Sequence, residues 1–179
     1  MSDRKYAFSW DLIGDIANGR PNLGPTLRLE VYRLMQFCFR DVLEQRYGTS
    51  ETDRIFYEAG ALAGYSFYNS AVEPKPESFS DLVKKLQVLL KEFGVGILRM
   101  EESDLEKYEF TMTVGEDLDC SGLPDLGYEI CIYDEGFLAG ILEAFTGLAF
   151  EVREVDCWCT SDRTCRFRAR LATTPQTKA

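Results

Sequence analysis

The sequence predicts an α+β domain in which helices pack on an antiparallel sheet. Segments with helical periodicity come first, and short segments with alternating apolar residues dominate the second half of the chain. Helices segregated from strands are typical of α+β folds, whereas regular alternation would indicate a parallel sheet. The 179 residues fit one domain, which we place at residues 19–172, between an N-terminal arm (1–18) and a disordered tail (173–179).

Three helices are predicted in the first half of the chain. The first spans 25–47, and Gly48 ends it. Its apolar stripe is so wide that we expect the helix to be largely buried, in part against a second subunit. The second helix begins at Ser50, where Asp53 completes a capping pair. The third spans 80–93.

The middle of the second helix is made of small residues: Ala59, Gly60, Ala61, Ala63 and Gly64. Glycine inside a helix costs stability and therefore needs a reason. Two reasons are open, namely close packing against another helix and room for a ligand beside Tyr65 and Tyr68. Packing is the interpretation that we favour.

Five strands and one further helix are predicted after the third helix. The strands are 96–100, 108–114, 128–133, 149–155 and 164–171. The helix, 134–145, lies between the third and fourth strands and stops at Gly147. In the last strand Arg166, Arg168 and Arg170 alternate, which indicates a solvated face.

Composition excludes several classes of function. Thirty acidic residues against twenty basic ones give a net charge of −10, which opposes binding to nucleic acid and to anionic membrane surfaces. The absence of histidine removes the triads built on it. Neither a signal peptide nor a membrane-spanning segment is predicted, so we expect a cytoplasmic protein. There, cysteines are more commonly thiols or metal ligands than disulfides.

A cluster of cysteines follows the fourth predicted strand. Cys157 and Cys165 flank the mouth of the last hairpin, where the two strand ends meet, and Cys131 ends another predicted strand. Thiolates gathered at such a corner suit zinc. The spacing leaves the fourth ligand open among Glu154, Asp156, Cys159 and Asp162. It also assigns no role to Cys38 or Cys120.

Residues 136–167, GFLAGILEAFTGLAFEVREVDCWCTSDRTCRF, resemble the V4R (4-vinyl reductase) domain family. Upstream, LGPTLRLEVYRLMQFCFRDVLEQRYG and YEAGALAGYSFYN resemble the sensor region of aromatic-responsive bacterial transcriptional activators, so the resemblance extends over 19–171. It implies one structural zinc ion held by Cys131, Glu154, Cys157 and Cys165. A site closed by four protein ligands is structural rather than catalytic.

The resemblance also implies a mixed ligand-binding fold related to a vesicle-tethering subunit, a homodimer, and a small hydrophobic ligand. The aromatic residues that we assign to the ligand pocket are Tyr65, Tyr68, Phe93, Tyr108, Phe110 and Phe137. The phenol sensors of the family use a His and a Trp, and this chain has no His. We therefore expect a more apolar aromatic, a lipid or an isoprenoid-like ligand.

We expect a binding domain without catalysis, whose output passes through a signalling partner protein. One alternative is an accessory factor or reductase in tetrapyrrole synthesis, which the family name raises. It would need a reductant, and the sequence lacks the glycine fingerprint of a dinucleotide site. The other alternative is a structural or tethering dimer subunit, because the first two helices have broad apolar faces.

Overall fold

The computed structural model describes residues 5–173, so most of the predicted tail lies outside the described residues. Within that range the chain forms one sheet and five α-helices. The helices are α1 (Ile16–Gly19), α2 (Leu29–Tyr47), α3 (Thr49–Ala71), α4 (Phe79–Glu92) and α5 (Ile132–Thr146). The strands are β1 (Ile97–Asp104), β2 (Glu109–Gly115), β3 (Phe150–Asp156) and β4 (Cys165–Leu171). The predicted α+β class is confirmed.

The sheet is antiparallel, with the strand order β1-β2-β4-β3. Its inner face is apolar and carries Phe110, Met112, Val152 and Phe167 into the core. Helix α4 adds the leucines 82, 86 and 90, which are spaced by one turn and are all buried. Ser78 caps that helix by accepting from the Asp81 N–H.

The outer face of the sheet is polar, as the alternating arginines predict. Arg166 pairs with Glu101, and Arg170 pairs with Glu151 across the strands. The uncovered face is therefore a solvated network of charges, and such exposed pairs contribute little to stability.

The predicted strand at 128–133 is wrong. The N–H groups of Leu126 and Gly127 donate to the carbonyl of Cys159, so the preceding chain is held against a 3₁₀ turn instead of a strand. Helix α5 then begins at Ile132, with Cys131 as its N-cap residue. Ile130 and Cys131 are buried in this irregular segment. Their apolar character therefore reflects burial and does not indicate a strand.

Helices α3 and α5 cross at glycines. A Cβ at Gly60 or Gly64 would clash with the backbone of Tyr133 or Phe137, and one at Gly136 or Gly140 would clash with the backbone of α3. Only glycine allows two backbones to approach so closely. The packing interpretation of the small residues in α3 is therefore confirmed, and it forms the most extensive contact between helices.

Helix α2 differs from its prediction in two ways. It begins at Leu29 rather than at residue 25, and Arg40 is its only buried residue. Leu34 is 68% exposed and Phe39 is 58% exposed, so the expectation of a largely buried helix is wrong for the single chain. Asp53, predicted to cap α3, pairs instead with Arg40.

No helix among residues 5–173 combines the length and the apolar character needed to cross a membrane.

Candidate metal centre

Four buried cysteines meet where the last hairpin, the start of α5 and a loop come together. Cys157 precedes the 3₁₀ turn Trp158–Thr160, and Cys165 begins β4. Cys131 precedes α5, and Cys120 belongs to the loop after β2. The four sulfur atoms all lie within 4.8 Å of one another, and each of the four residues is completely shielded from solvent.

The sulfur separations match those of a tetrahedral thiolate site. Cys131 Sγ lies 3.9 Å from Cys157 Sγ and 3.8 Å from Cys165 Sγ. A zinc–sulfur bond of about 2.3 Å implies a sulfur–sulfur edge of about 3.8 Å in a tetrahedron. Cys120 Sγ and Cys165 Sγ are closer, at 3.1 Å. A single ion at the centre would therefore require only small side-chain adjustments.

The loop that carries Cys120 is shaped by a carboxylate. Asp117 Oδ1 accepts from the backbone N–H groups of Asp119 at 2.9 Å and of Cys120 at 3.0 Å. This short-range bonding is typical of aspartate at turns, where the side chain replaces a backbone acceptor. It turns the chain so that Cys120 enters the cluster.

Helix α2 holds the same loop through one turn of polar side chains. Arg33 donates to the carbonyls of Leu118 and Ser121, both at 2.9 Å. The Tyr32 hydroxyl and the Gln36 amide each donate to a carboxylate oxygen of Asp119 at 2.8 Å. We call these contacts the α2 clasp; they connect an exposed helix to the cysteine cluster.

Buried carboxylates surround the cysteines. Glu154 Oε1, Asp117 Oδ2 and Asp134 Oδ2 are buried without a hydrogen-bond donor. Burial raises the pKa of Glu154 to about 9, and the Cys157 thiolate adds to the rise. Burial also raises the pKa values of Asp117 and Asp134. These raised pKa values mean that burial favours the protonated carboxyl groups, whereas a cation bound nearby would favour their charged forms.

The cysteine thiols of the cluster differ in pKa. Hydrogen bonds from Cys120, Cys131 and Cys165 hold the pKa of Cys157 well below its usual range. Hydrogen bonds with Cys120, Cys157 and Cys165 raise the pKa of Cys131, and burial adds to the rise.

Three of the four predicted ligands, Cys131, Cys157 and Cys165, belong to the cluster. Glu154 lies beside it, where Oε2 accepts from the Cys131 N–H at 3.3 Å. Sequence reasoning missed Cys120, because no spacing rule connects a loop cysteine with a hairpin mouth. Cys159 is buried outside the four, and its carbonyl accepts from Leu126 and Gly127.

The six aromatic residues assigned to a ligand pocket lie in several packing contacts. Phe110 is stacked on Phe79 at 4.4 Å, and Tyr108 meets Phe150 edge-on. Tyr68 meets Phe145. Phe93 and Phe137 each lie against Phe67; Tyr65, by contrast, is 48% exposed. Their assignment to one pocket stays a prediction.

Comparison of the sequence with known families finds a V4R domain at residues 110–171. An uncharacterized protein of Methanocaldococcus jannaschii, MJ1642, is 32% identical over 88 residues, which are 49% of this chain. The match spans about half of that relative, 52% of its length.

Two solved structures have a similar fold. The phenol-responsive sensory domain of the transcription activator PoxR, solved with phenol, has a TM-score of 0.62 at 15% identity, covering 81% of this chain and 75% of its own. A trafficking protein particle complex subunit 3 from Naegleria fowleri, covalently bound to palmitic acid, also has a TM-score of 0.62, at 16% identity. That similarity covers 81% of this chain and 95% of the subunit.

Proposed function

Because the chain carries a V4R domain at residues 110–171, we propose that it is a non-catalytic sensor domain that binds a small hydrophobic molecule and is stabilised by structural zinc. The observation that carries the proposal is the cluster of four buried cysteines in that fold. The proteins with a similar fold bind phenol in one case and palmitic acid in the other. Each of these molecules has an apolar body with one polar group, which supports a largely hydrophobic ligand here.

Zinc fits the donor set. Four thiolates are the ligands of a closed structural zinc site, and such a site has no open position for a substrate. Zinc would connect three separate parts of the chain, namely the loop after β2, the start of α5 and the final hairpin. Its charge would also compensate the thiolates and the nearby carboxylates.

The fourth ligand is either Glu154 or Cys120. The predicted set and the four-cysteine set share three cysteines. The mutual distances support Cys120, because its sulfur lies with the other three inside 4.8 Å. Glu154 is the alternative, since its Oε1 is buried without a partner.

Cobalt substitution tests the ligand set. With four thiolates, Cys120→Ser should remove about a quarter of the sulfur-to-cobalt charge-transfer absorbance, since one of four ligands is lost. Glu154→Gln should leave that absorbance unchanged. The opposite pattern, in which only Glu154→Gln alters the cobalt spectrum, would assign the site to the predicted set.

Zinc content tests the site as a whole. The purified chain should contain about one zinc ion, and Cys165→Ser should release it and destabilise the final hairpin. The surface thiol variant Cys38→Ser is the control, because Cys38 is exposed. A chain that contains no zinc and tolerates Cys165→Ser would refute the metal site.

A second copy of the chain is the partner that we propose for α2. Val31, Leu34 and Val42 share one face of this helix, and each is at least 44% exposed. A continuous apolar face of this kind is typical of an interface. Two copies packed face to face would bury it, in the symmetric arrangement that most homodimers adopt.

A further inference from the structure

An apolar groove lies between α2 and α3, away from the six aromatic residues assigned to the ligand pocket. Its volume is about 400 Å³, which falls within the range of about 300–1,000 Å³ typical of small-molecule sites. Its lining includes Tyr32, Met35, Gln36, Phe39, Phe56 and Tyr133, together with two aliphatic residues of α3, Ile55 and Ala59. Aromatic and thioether side chains thus form most of the wall.

Gln36 lines this groove and carries one unsatisfied acceptor. Its Nε2 donates to Asp119 Oδ2 at 2.8 Å, and this bond fixes which end of the amide faces the carboxylate. The other end, Oε1, is buried and has no hydrogen-bond donor. A buried acceptor left without a donor costs about 1–3 kcal/mol, so a ligand that supplies the donor would recover part of that cost.

We propose that this groove binds an apolar, aromatic-sized molecule carrying one hydrogen-bond donor, which pairs with Gln36 Oε1. The inference rests on the proposed function and assigns it a site and a ligand class. The apolar walls favour a molecule with an apolar body, and the single acceptor favours a molecule with one hydrogen-bond donor.

The groove is also connected to the metal centre. Gln36 holds Asp119, which is next to Cys120 in sequence, and Tyr32 lines the groove while donating to the same carboxylate. A ligand that contacts Gln36 therefore acts on the α2 clasp directly. Met35 and Phe39 form the solvent edge of the groove and are both more than half exposed.

Indole and 1-methylindole test the ligand class, because a methyl group replaces the N–H donor in the second molecule. Titration of the zinc-loaded chain should give an indole affinity about five-fold or more above that of 1-methylindole, the equivalent of one hydrogen bond. In the ¹³C-methyl NMR spectrum the Met35 signal should move. The Met112 signal, from the strand that holds Phe110, should stay.

A matched pair of variants tests whether the ligand binds in this groove. Ala59 lines the groove, so Ala59→Phe should fill it and weaken indole binding at least ten-fold. Val88→Phe, at an exposed position on α4, should bind as the wild type does. The Met112 methyl signal reports whether the variants keep the fold.

Three outcomes would overturn the inference. Equal affinity for the two indoles would remove the donor argument. A shift of Met112 without Met35 would move the ligand to the aromatic residues around Phe110 and leave the proposed function intact. A Met35 signal that responds to dilution of the protein but not to indole would make a second copy the occupant.

Discussion

Helices α2 and α5 are both rich in apolar residues, but they are buried to very different extents. In α5 eight residues are buried, whereas in α2 only Arg40 is. Helix α5 is enclosed by α3 and β3, and its backbone touches that of α3 at glycines. Helix α2 is attached to the rest of the chain by α3 and by the polar clasp on the loop of Cys120.

This difference shows that apolar content alone does not determine whether a helix is buried within the chain. Close backbone contact fixes α5 within the domain, so any added atom there must push the helices apart. Helix α2 depends on a few hydrogen bonds and keeps its apolar face available to another molecule. Mutations at the two helices should therefore differ in how strongly they destabilise the fold.

The largest effect is expected at the glycine crossing. Gly64→Ala would bring a Cβ against the carbonyl of Phe137, and separating the two helices should lower the free energy of unfolding by about 3 kcal/mol or more. Chemical denaturation measures the loss. Gly115→Ala is the control, because a Cβ there meets open space. A loss at Gly64 no larger than at Gly115 would show that the crossing is loose.

Loss of the clasp should have a smaller effect, centred on α2. Arg33→Met removes hydrogen bonds from a guanidinium to two carbonyls at 2.9 Å, which should cost about 1.5–3 kcal/mol. Hydrogen exchange should accelerate in α2 and in the loop of Cys120, and stay slow in α5. The control is Arg46→Met, at an exposed position in the last turn of α2, which should change neither the stability nor the hydrogen exchange. Equal acceleration of exchange in α2 and α5 after Arg33→Met would contradict the comparison of the two helices.

The smallest effect on folding is expected on the exposed face of α2. Leu34→Asp places a charge at a position that is 68% exposed, so the free energy of unfolding of the monomer should change by at most about 0.5 kcal/mol. The dimer dissociation constant should rise at least ten-fold, or about 1.4 kcal/mol. Sedimentation at several concentrations measures it, with Val88→Asp on α4 as the control. A wild-type chain that is monomeric throughout would refute the dimer.

Metal removal compares the two helices directly. Both touch the cysteine cluster, α5 through Cys131 and α2 through the loop of Cys120. Chelation should therefore increase hydrogen exchange at residues 32–36 and 117–121 more than at residues 136–142, which α3 still encloses. Readdition of zinc should reverse the change, and an equal increase in both helices would indicate that the metal supports the whole fold.

Local rules in the sequence determined much of this protein. Gly48 and Gly147 end helices because glycine tolerates the positive φ that they adopt. Alternation along the last strand separated its exposed arginines from buried residues such as Phe167. The hairpin mouth brought Cys157 and Cys165 together, since its two ends must meet.

Only the tertiary structure decided the rest. Cys120 joined the cluster through a turn that Asp117 shapes, and no periodicity records where such a loop will lie. Cys131 precedes a helix instead of ending a strand, because a short buried segment has the same apolar pattern in either state. In α2 the pattern identified residues that avoid water, but it did not distinguish burial within the chain from an exposed face that a second copy or a ligand would cover.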